Sequence, residues 1–215
     1  MSKYCEELHR IFNSMKRLKY PYEDEYIPQN GIYVLFEKGE MCHENLDRIV
    51  RVGTHRGDKQ LRSRLNEHFI NENKDRSIFR KNIGRAILNK NNDEFIKYWE
   101  LDLTPSKNRE KYSNIIDFQY QKKIEGEVTR YIQEMFSFVV IEINDREMRL
   151  FYESKIISEV SNCKECFSSE NWLGRYSPKE KIRESGLWQE NKLYIEGFSK
   201  EEFDEFTKLV KKYLY

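Results

Sequence analysis

The stretch from Asn30 to His68, NGIYVLFEKGEMCHENLDRIVRVGTHRGDKQLRSRLNEH, restricts the fold more than any other part of the chain. Residues 31–37 (GIYVLFE) and 47–53 (DRIVRVG) are rich in β-branched and aromatic side chains and bounded by glycine and polar clusters, so each reads as a strand. Nine residues separate them, a length that suits a hairpin. After Gly53 the period changes: Leu61, Leu65 and Phe69 recur at every fourth position, the spacing of a helix. Arg64 and His68 are also four apart and project together beside that apolar stripe. The product is a strand-strand-helix unit with Tyr33, Arg64 and His68 within reach of one another.

At 215 residues the chain has room for one elaborated domain or two small ones, with a substantial core in either case. Lys and Arg total 38 against 37 Asp and Glu, so whole-chain charge does not single out an anionic partner. The distribution does: Arg56 to Lys90 holds ten basic residues against four acids, whereas Glu196 to Glu205 holds five acids and one lysine. A local basic field of that kind suits a polyanion, and it equally describes a solvated helix face. No signal peptide opens the chain, and no apolar run approaches the ~20 residues of a membrane span, so a cytoplasmic setting without membrane contact is expected. Four cysteines fit a reduced compartment. Cys163-Lys-Glu-Cys166 has the spacing of half a zinc site, but Cys5 and Cys42 are distant and singly placed, so ordinary buried or loop thiols are expected.

Beyond the central unit, helical periodicity marks residues 4–18, 77–88, 115–136, 145–161 and the segment after Ser199. In the second of these, Ile78, Phe79, Ile83, Ala86 and Ile87 are expected inward and Arg80, Lys81 and Arg85 outward. Residues 137–143 (SFVVIEI) read as a further strand. In the helix that follows, Ile156, Ile157 and Val160 centre the apolar arc and Glu153 falls among them. A carboxylate facing the interior is costly unless it meets a cation or donors, which makes Glu153 the strongest physical anomaly in the sequence. Ser177-Pro-Lys-Glu180 and Ser199-Lys-Glu-Glu202 both read as helix starts, with Gly186 ending the first of those helices.

Gly31-Ile32-Tyr33, a second strand ending in Gly53, then Arg64, Leu65 and His68 resemble the opening of GIY-YIG nuclease domains. The resemblance implies an α+β fold with a small antiparallel sheet of about three central strands flanked by helices. It divides the chain into an N-terminal helical extension (1–29), a core (30–175) with a mostly helical insertion at about 91–136, and a C-terminal helical extension (176–215). The insertion could serve as a DNA-clasping arm, a dimer contact or extra core. Arg51-Val52-Gly53 departs from the usual Tyr-Ile-Gly, and the loop before the helix is longer and carries His55 and Arg56.

The same resemblance implies phosphodiester hydrolysis of DNA with Mg²⁺ or Mn²⁺. Glu153 would bind the metal, Arg64 would grip the phosphate with its planar fork, and Tyr33 would take a proton from the attacking water. A phenol of pKa ~10 is a poor base at neutral pH unless positive charge surrounds it. His68 would share in proton transfer or orient Tyr33, and Asn171 is the asparagine downstream of Glu153 that fits the family's place. Arg51, His55, Arg56, Arg80 and Lys81 are the expected substrate contacts. Restriction or another defence against foreign DNA is the expected setting, with a homodimer or a defence-system protein as partner. A catalytically inactive nucleic-acid-binding module, or an interaction subunit, is the alternative on the same fold.

Overall fold

The computed structural model describes residues 3–214. The elements run α1 (Cys5–Ser14), β1 (Leu18–Lys19), β2 (Gly31–Cys42), β3 (Leu46–Thr54), α2 (Leu61–Phe69), α3 (Ile78–Lys90), α4 (Ile96–Trp99), α5 (Ser106–Tyr112), α6 (Phe118–Met135), β4 (Phe136–Glu142), α7 (Arg146–Ser161), α8 (Glu180–Ser185) and α9 (Lys200–Val210). The strands form one antiparallel sheet in the order β1-β4-β2-β3. The expected α+β architecture is present, with the two-residue β1 adding an edge strand to the three central ones.

Alternation along β2 sorts the core into two layers, because successive side chains leave opposite faces of a strand. Ile32, Val34 and Phe36 join Val139 and Ile141 of β4 under α1, α7 and α9. Tyr33 and Leu35 join Phe136 and Phe138 under α2, α3 and α6. Both terminal helices therefore belong to the layer packed on one sheet face: Leu8 and Phe12 of α1 and Phe206 and Val210 of α9 are fully buried there. The capping box of α9 is formed, with Ser199 and Glu202 bonding each other's backbone. Helix α8 starts later than Ser177-Pro178 implies, with Lys179 at its N-cap, and Gly186 ends it at φ 67°.

The exposed edge of β3 is covered by the tail. Trp188 N–H donates to Val50 O at 2.8 Å, and Val52 N–H donates to the Gln189 side chain at 3.1 Å. Such cover satisfies backbone groups that would otherwise invite another strand. It also carries residues 189–192 to the end of β3.

Helix α3 corrects the expected orientation of its basic residues. Arg80 is fully buried, its Nη2 2.8 Å from Glu125 Oε2 of α6, with further bonds to His68 O and Thr129 Oγ1. Lys81 reaches Asp75 (3.2 Å) and Glu100 O (2.9 Å), and Arg85 pairs with Glu100. α6 and α4 enclose the side of α3 that periodicity assigned to solvent, so much of the local basic excess is neutralised inside the fold. Ile78, expected inward, is 45% exposed.

The four cysteines are free thiols, three buried and Cys163 half-buried, as expected, but Cys5 does not stand apart from Cys166. Cys5 and Cys166 lie with Sγ atoms 3.3 Å apart, and His9 and His43 join them with ligand atoms all within 4.8 Å of one another. No helix among the described residues is long and apolar enough to cross a membrane.

Candidate active site

Tyr33 stands opposite Gly53 on β3 and Val140 on β4. Its ring lies across Gly53 so closely that a Cβ there would meet the phenol oxygen at 2.2 Å, which is why the residue after Val52 has no side chain. Gly31 is equally constrained: a Cβ would meet Ile141 O of β4 at 2.2 Å. The two glycines thus let β2 approach β4 and let Tyr33 lie flat along β3 to reach α2.

On α2 the four-residue spacing brings His68 and Arg64 to that phenol. Tyr33 Oη is 2.7 Å from His68 Nε2, and His68 Nδ1 is 2.7 Å from Ser77 Oγ. Ser77 is the N-cap of α3 and accepts the Arg80 N–H, so its hydroxyl is held in place. Burial, then the charges of Arg64, Arg51 and Arg80, push the His68 imidazolium well below its ordinary pKa. A neutral imidazole has one donor and one acceptor nitrogen, so the Ser77–His68–Tyr33 chain can relay a proton in either direction.

Arg64 donates from Nη1 to Glu67 Oε2 (2.7 Å) and Arg76 O (3.0 Å). Burial lowers its pKa, but Tyr33 and Glu67 outweigh that and leave the guanidinium above its ordinary value. The Tyr33 hydroxyl therefore lies between a neutral imidazole and a firmly charged arginine.

Glu153 reaches the same place from α7, on the other sheet face, by way of the end of β3. Its Oε1 accepts Thr54 N–H at 3.1 Å and its Oε2 is paired with Lys192 Nζ. This is how an inward carboxylate is compensated: one backbone donor and one ammonium, with the side chain 12% exposed.

One cavity of about 480 Å³ collects these groups, lined by Tyr33, Arg64 and Glu153 with Arg51, His55 and Arg56. The tail adds Gln189, Glu190, Asn191 and Lys192. Four permanent cations (Arg51, Arg56, Arg64, Lys192) face two carboxylates (Glu153, Glu190), so the lining favours an anion. Arg51 stands where the second tyrosine is usual. It donates to Trp188 O, its Nε is buried without a hydrogen-bond partner among the described residues, and its guanidinium carbon lies 5.2 Å from the centre of the Phe79 ring.

Other expected residues are placed differently. His55 is buried, accepting Gly31 N–H at Nε2 (3.2 Å) and facing Gly57 O with Nδ1 (2.7 Å). Burial lowers its pKa, so it is a neutral tie between loop and strand and not a cationic contact. Arg56 is exposed at the cavity wall. Arg80 and Lys81 do not line the cavity, being engaged in the ion pairs described above. Asn171 lies exposed in a turn that the Trp172 indole anchors to Glu37 at 2.8 Å, and it does not line the cavity. Asn191 and Asn82 do. Trp188 and Gln189, placed by the edge of β3, are the reason the tail reaches the site; irregular backbone has no periodicity by which sequence could announce it.

The donor set at Glu153 fits a hard divalent cation of the Mg²⁺ class. Such ions are commonly held by one or two carboxylates with water and phosphate oxygens completing the shell, and Glu153 supplies one carboxylate on an open cavity wall.

No curated protein and no solved structure matches the chain at a significance that adds to these observations. A family model described as a GIY-YIG domain matches residues 2–214, nearly the whole chain and including both termini and the middle helices. With the triplet Gly31-Ile32-Tyr33 at the start of the central strand and this coverage, the chain belongs to the GIY-YIG domain family.

Proposed function

We propose that the protein is a metal-dependent endonuclease that hydrolyses DNA phosphodiester bonds. Family membership carries nuclease activity as the general class. The observation that carries the finer reading is the meeting of Tyr33, Arg64 and Glu153 in one cation-rich cavity, with His68 bonded to the phenol behind it. Mg²⁺ or Mn²⁺ held by Glu153 would supply Lewis-acid polarisation of the phosphate. Arg64 donates to a non-bridging phosphate oxygen in the fork geometry that lysine lacks. Tyr33 takes a proton from the attacking water, with Arg64 favouring the phenolate and His68 passing the proton on or holding the ring in position. Arg51 lines the same cavity and adds a second positive charge facing the anion. Asn191 takes the asparagine role that the resemblance implied for Asn171, since it shares the cavity with Glu153.

The setting we assign is restriction or another defence against foreign DNA, with a homodimer as the simplest way for one such site per chain to cut two strands. Plasmid and single-stranded DNA incubated with Mg²⁺ test the activity: cleavage by the native chain and its loss in Glu153→Ala support it. Phage plating on cells with and without the protein tests the setting.

A second reading has its own support. Arg51 replaces the usual tyrosine and Lys192 neutralises Glu153, as in a module that binds nucleic acid without cutting it. Salt-dependent DNA binding that needs no metal, with no cleavage under any divalent ion, would select this alternative.

A further inference from the structure

Six metal-ligand side chains converge behind the sheet, away from the cavity. Cys5 and His9 come from α1, Cys42 and His43 from the end of β2 and its turn, and Cys163 and Cys166 from the loop after α7. Cys5 Sγ is 3.3 Å from Cys166 Sγ. His43 Nε2 is 3.0 Å from Cys166 Sγ and 3.7 Å from Cys163 Sγ. Cys5, His9, His43 and Cys166 offer ligand atoms all within 4.8 Å of one another, and Cys163 joins this group through His43. Tetrahedral zinc with bonds of about 2.3 Å to sulfur and about 2.0 Å to nitrogen has ligand-ligand edges of roughly 3.5–3.8 Å. The separations of 3.0, 3.3 and 3.7 Å lie within that range or a few tenths of an ångström short of it.

We propose that Cys5, His43, Cys163 and Cys166 form a structural site for a zinc-class divalent ion. This inference does not depend on the nuclease reading. Cys163 and Cys166 have the two-residue spacing of a zinc knuckle. His43 presents Nε2 to the thiols, and its buried Nδ1 lies 3.3 Å from the Glu165 carboxylate without a hydrogen bond among the described residues, leaving that carboxylate in reach to orient a metal-bound imidazole. His43, Glu44 and Asn45 all have positive φ (44°, 56° and 84°), a costly run of non-glycine residues that aims the ring at the thiols. His9 is also within range, but both its nitrogens are engaged, Nδ1 with Cys5 O (2.8 Å) and Nε2 with Ile49 N–H (3.1 Å). It is therefore an orienting residue beside Cys5. Cys42 is buried at the end of β2, and its thiol is not among the ligand atoms that lie within 4.8 Å of one another. A Cys5–Cys166 disulfide would use two of these groups and leave the placement of His43 and Cys163 without a purpose.

The ion would clasp α1, the β2–β3 turn and the loop leading to α8. Three elements distant in sequence would then be held by bonds stronger than their packing. An open cleft of about 330 Å³ beside Cys163 and Cys166 gives an ion a way in.

The test uses the full chain, purified under reducing conditions without chelator. Elemental analysis is expected to find one zinc per chain, and Co²⁺ added to the metal-free protein is expected to give the intense visible bands of a tetrahedral thiolate site at one equivalent. Cys166→Ser is expected to lower Zn²⁺ affinity by more than the ~10- to 100-fold that loss of an outer partner costs, whereas Cys42→Ser leaves stoichiometry and band shape unchanged. Because Cys166→Ser could fail to fold, the wild-type cobalt spectrum stands as an independent readout. Reduced protein that binds neither ion, or protein isolated under these conditions with a Cys5–Cys166 disulfide and no metal, overturns the proposal. Loss of the bands in His9→Gln with their retention in Cys163→Ser overturns the ligand assignment.

Discussion

The Tyr33 hydroxyl lies 2.7 Å from His68 Nε2, and the ring that accepts or offers this bond is held from behind by Ser77 at the same distance. Tyr33→Phe keeps the ring that packs over Gly53 and removes only the oxygen. Cleavage of supercoiled plasmid is expected to fall by roughly 10²- to 10⁴-fold, the usual contribution of a positioned acid or base. Thermal unfolding should shift by no more than one lost hydrogen bond, about 1 kcal/mol. Undiminished cutting by the phenylalanine variant would remove Tyr33 from the chemistry.

His68 should remain neutral where a free histidine titrates. Its folded pKa is depressed by burial and by Arg64, Arg51 and Arg80, while the unfolded chain takes up a proton near pH ~6.5. The unfolded state therefore binds more protons as pH falls below that value, and stability declines with acid. Nitrogen-15 spectra of the imidazole are expected to show a neutral ring with no titration between pH 6 and 7, and to identify which nitrogen carries the proton.

Glu37 has the opposite sign. It is buried, and its acceptors are met by Trp172 and Trp188 N–H groups at 2.8 Å each and by the Tyr131 hydroxyl, with no cation bonded to it among the described residues. Burial raises its pKa against the opposing pull of those donors. Its contribution to stability is complete below the unfolded carboxyl value of ~4.3 and is lost as pH rises through the folded value. Between those two values the slope approaches about 1.4 kcal/mol for each step of one in pH. Glu37→Gln can keep all three contacts, so urea midpoints of the variant should lack this decline with rising pH.

Arg80 and Glu125 form a buried pair between α3 and α6, 2.8 Å apart. Arg80→Ala leaves a carboxylate without its cation and is expected to cost about 3–5 kcal/mol in denaturant unfolding. If Arg80 instead touched DNA, as the sequence implied, the variant would reduce the salt dependence of DNA binding at little cost in stability.

Lys192 competes with a cation for Glu153. Lys192→Ala is expected to bind Mn²⁺ more tightly in calorimetry and to bind DNA more weakly without metal. Unchanged metal affinity would mean that Glu153 is not the ligand.

The two-residue alternation of β2 and β3 and the four-residue spacing of α2 are local properties, so the strands, the helix and the grouping of Tyr33, Arg64 and His68 could be read directly. Glu153 was legible for a different reason: a carboxylate on an apolar arc must find compensation, and Thr54 and Lys192 provide it. Arg80 was misread because its partner Glu125 lies on another helix, and periodicity describes only one helix at a time. Asn171 and Asn191 both sit in irregular backbone, where the choice depends on the path of the tail along β3. The cysteines are the free, mostly buried thiols expected, but the meeting of Cys5 with Cys166 was not legible, since spacing in sequence says nothing about it.

The most direct test of the central claim is a digest of defined duplex DNA with Mg²⁺, with the ends mapped for the native chain and for Glu153→Ala. The account expects cuts leaving a 5′ phosphate and a 3′ hydroxyl, abolished by the substitution in a variant that still folds and still binds DNA. Cutting that persists at full rate in Glu153→Ala, or a native chain that binds DNA and never cuts it, would contradict the account.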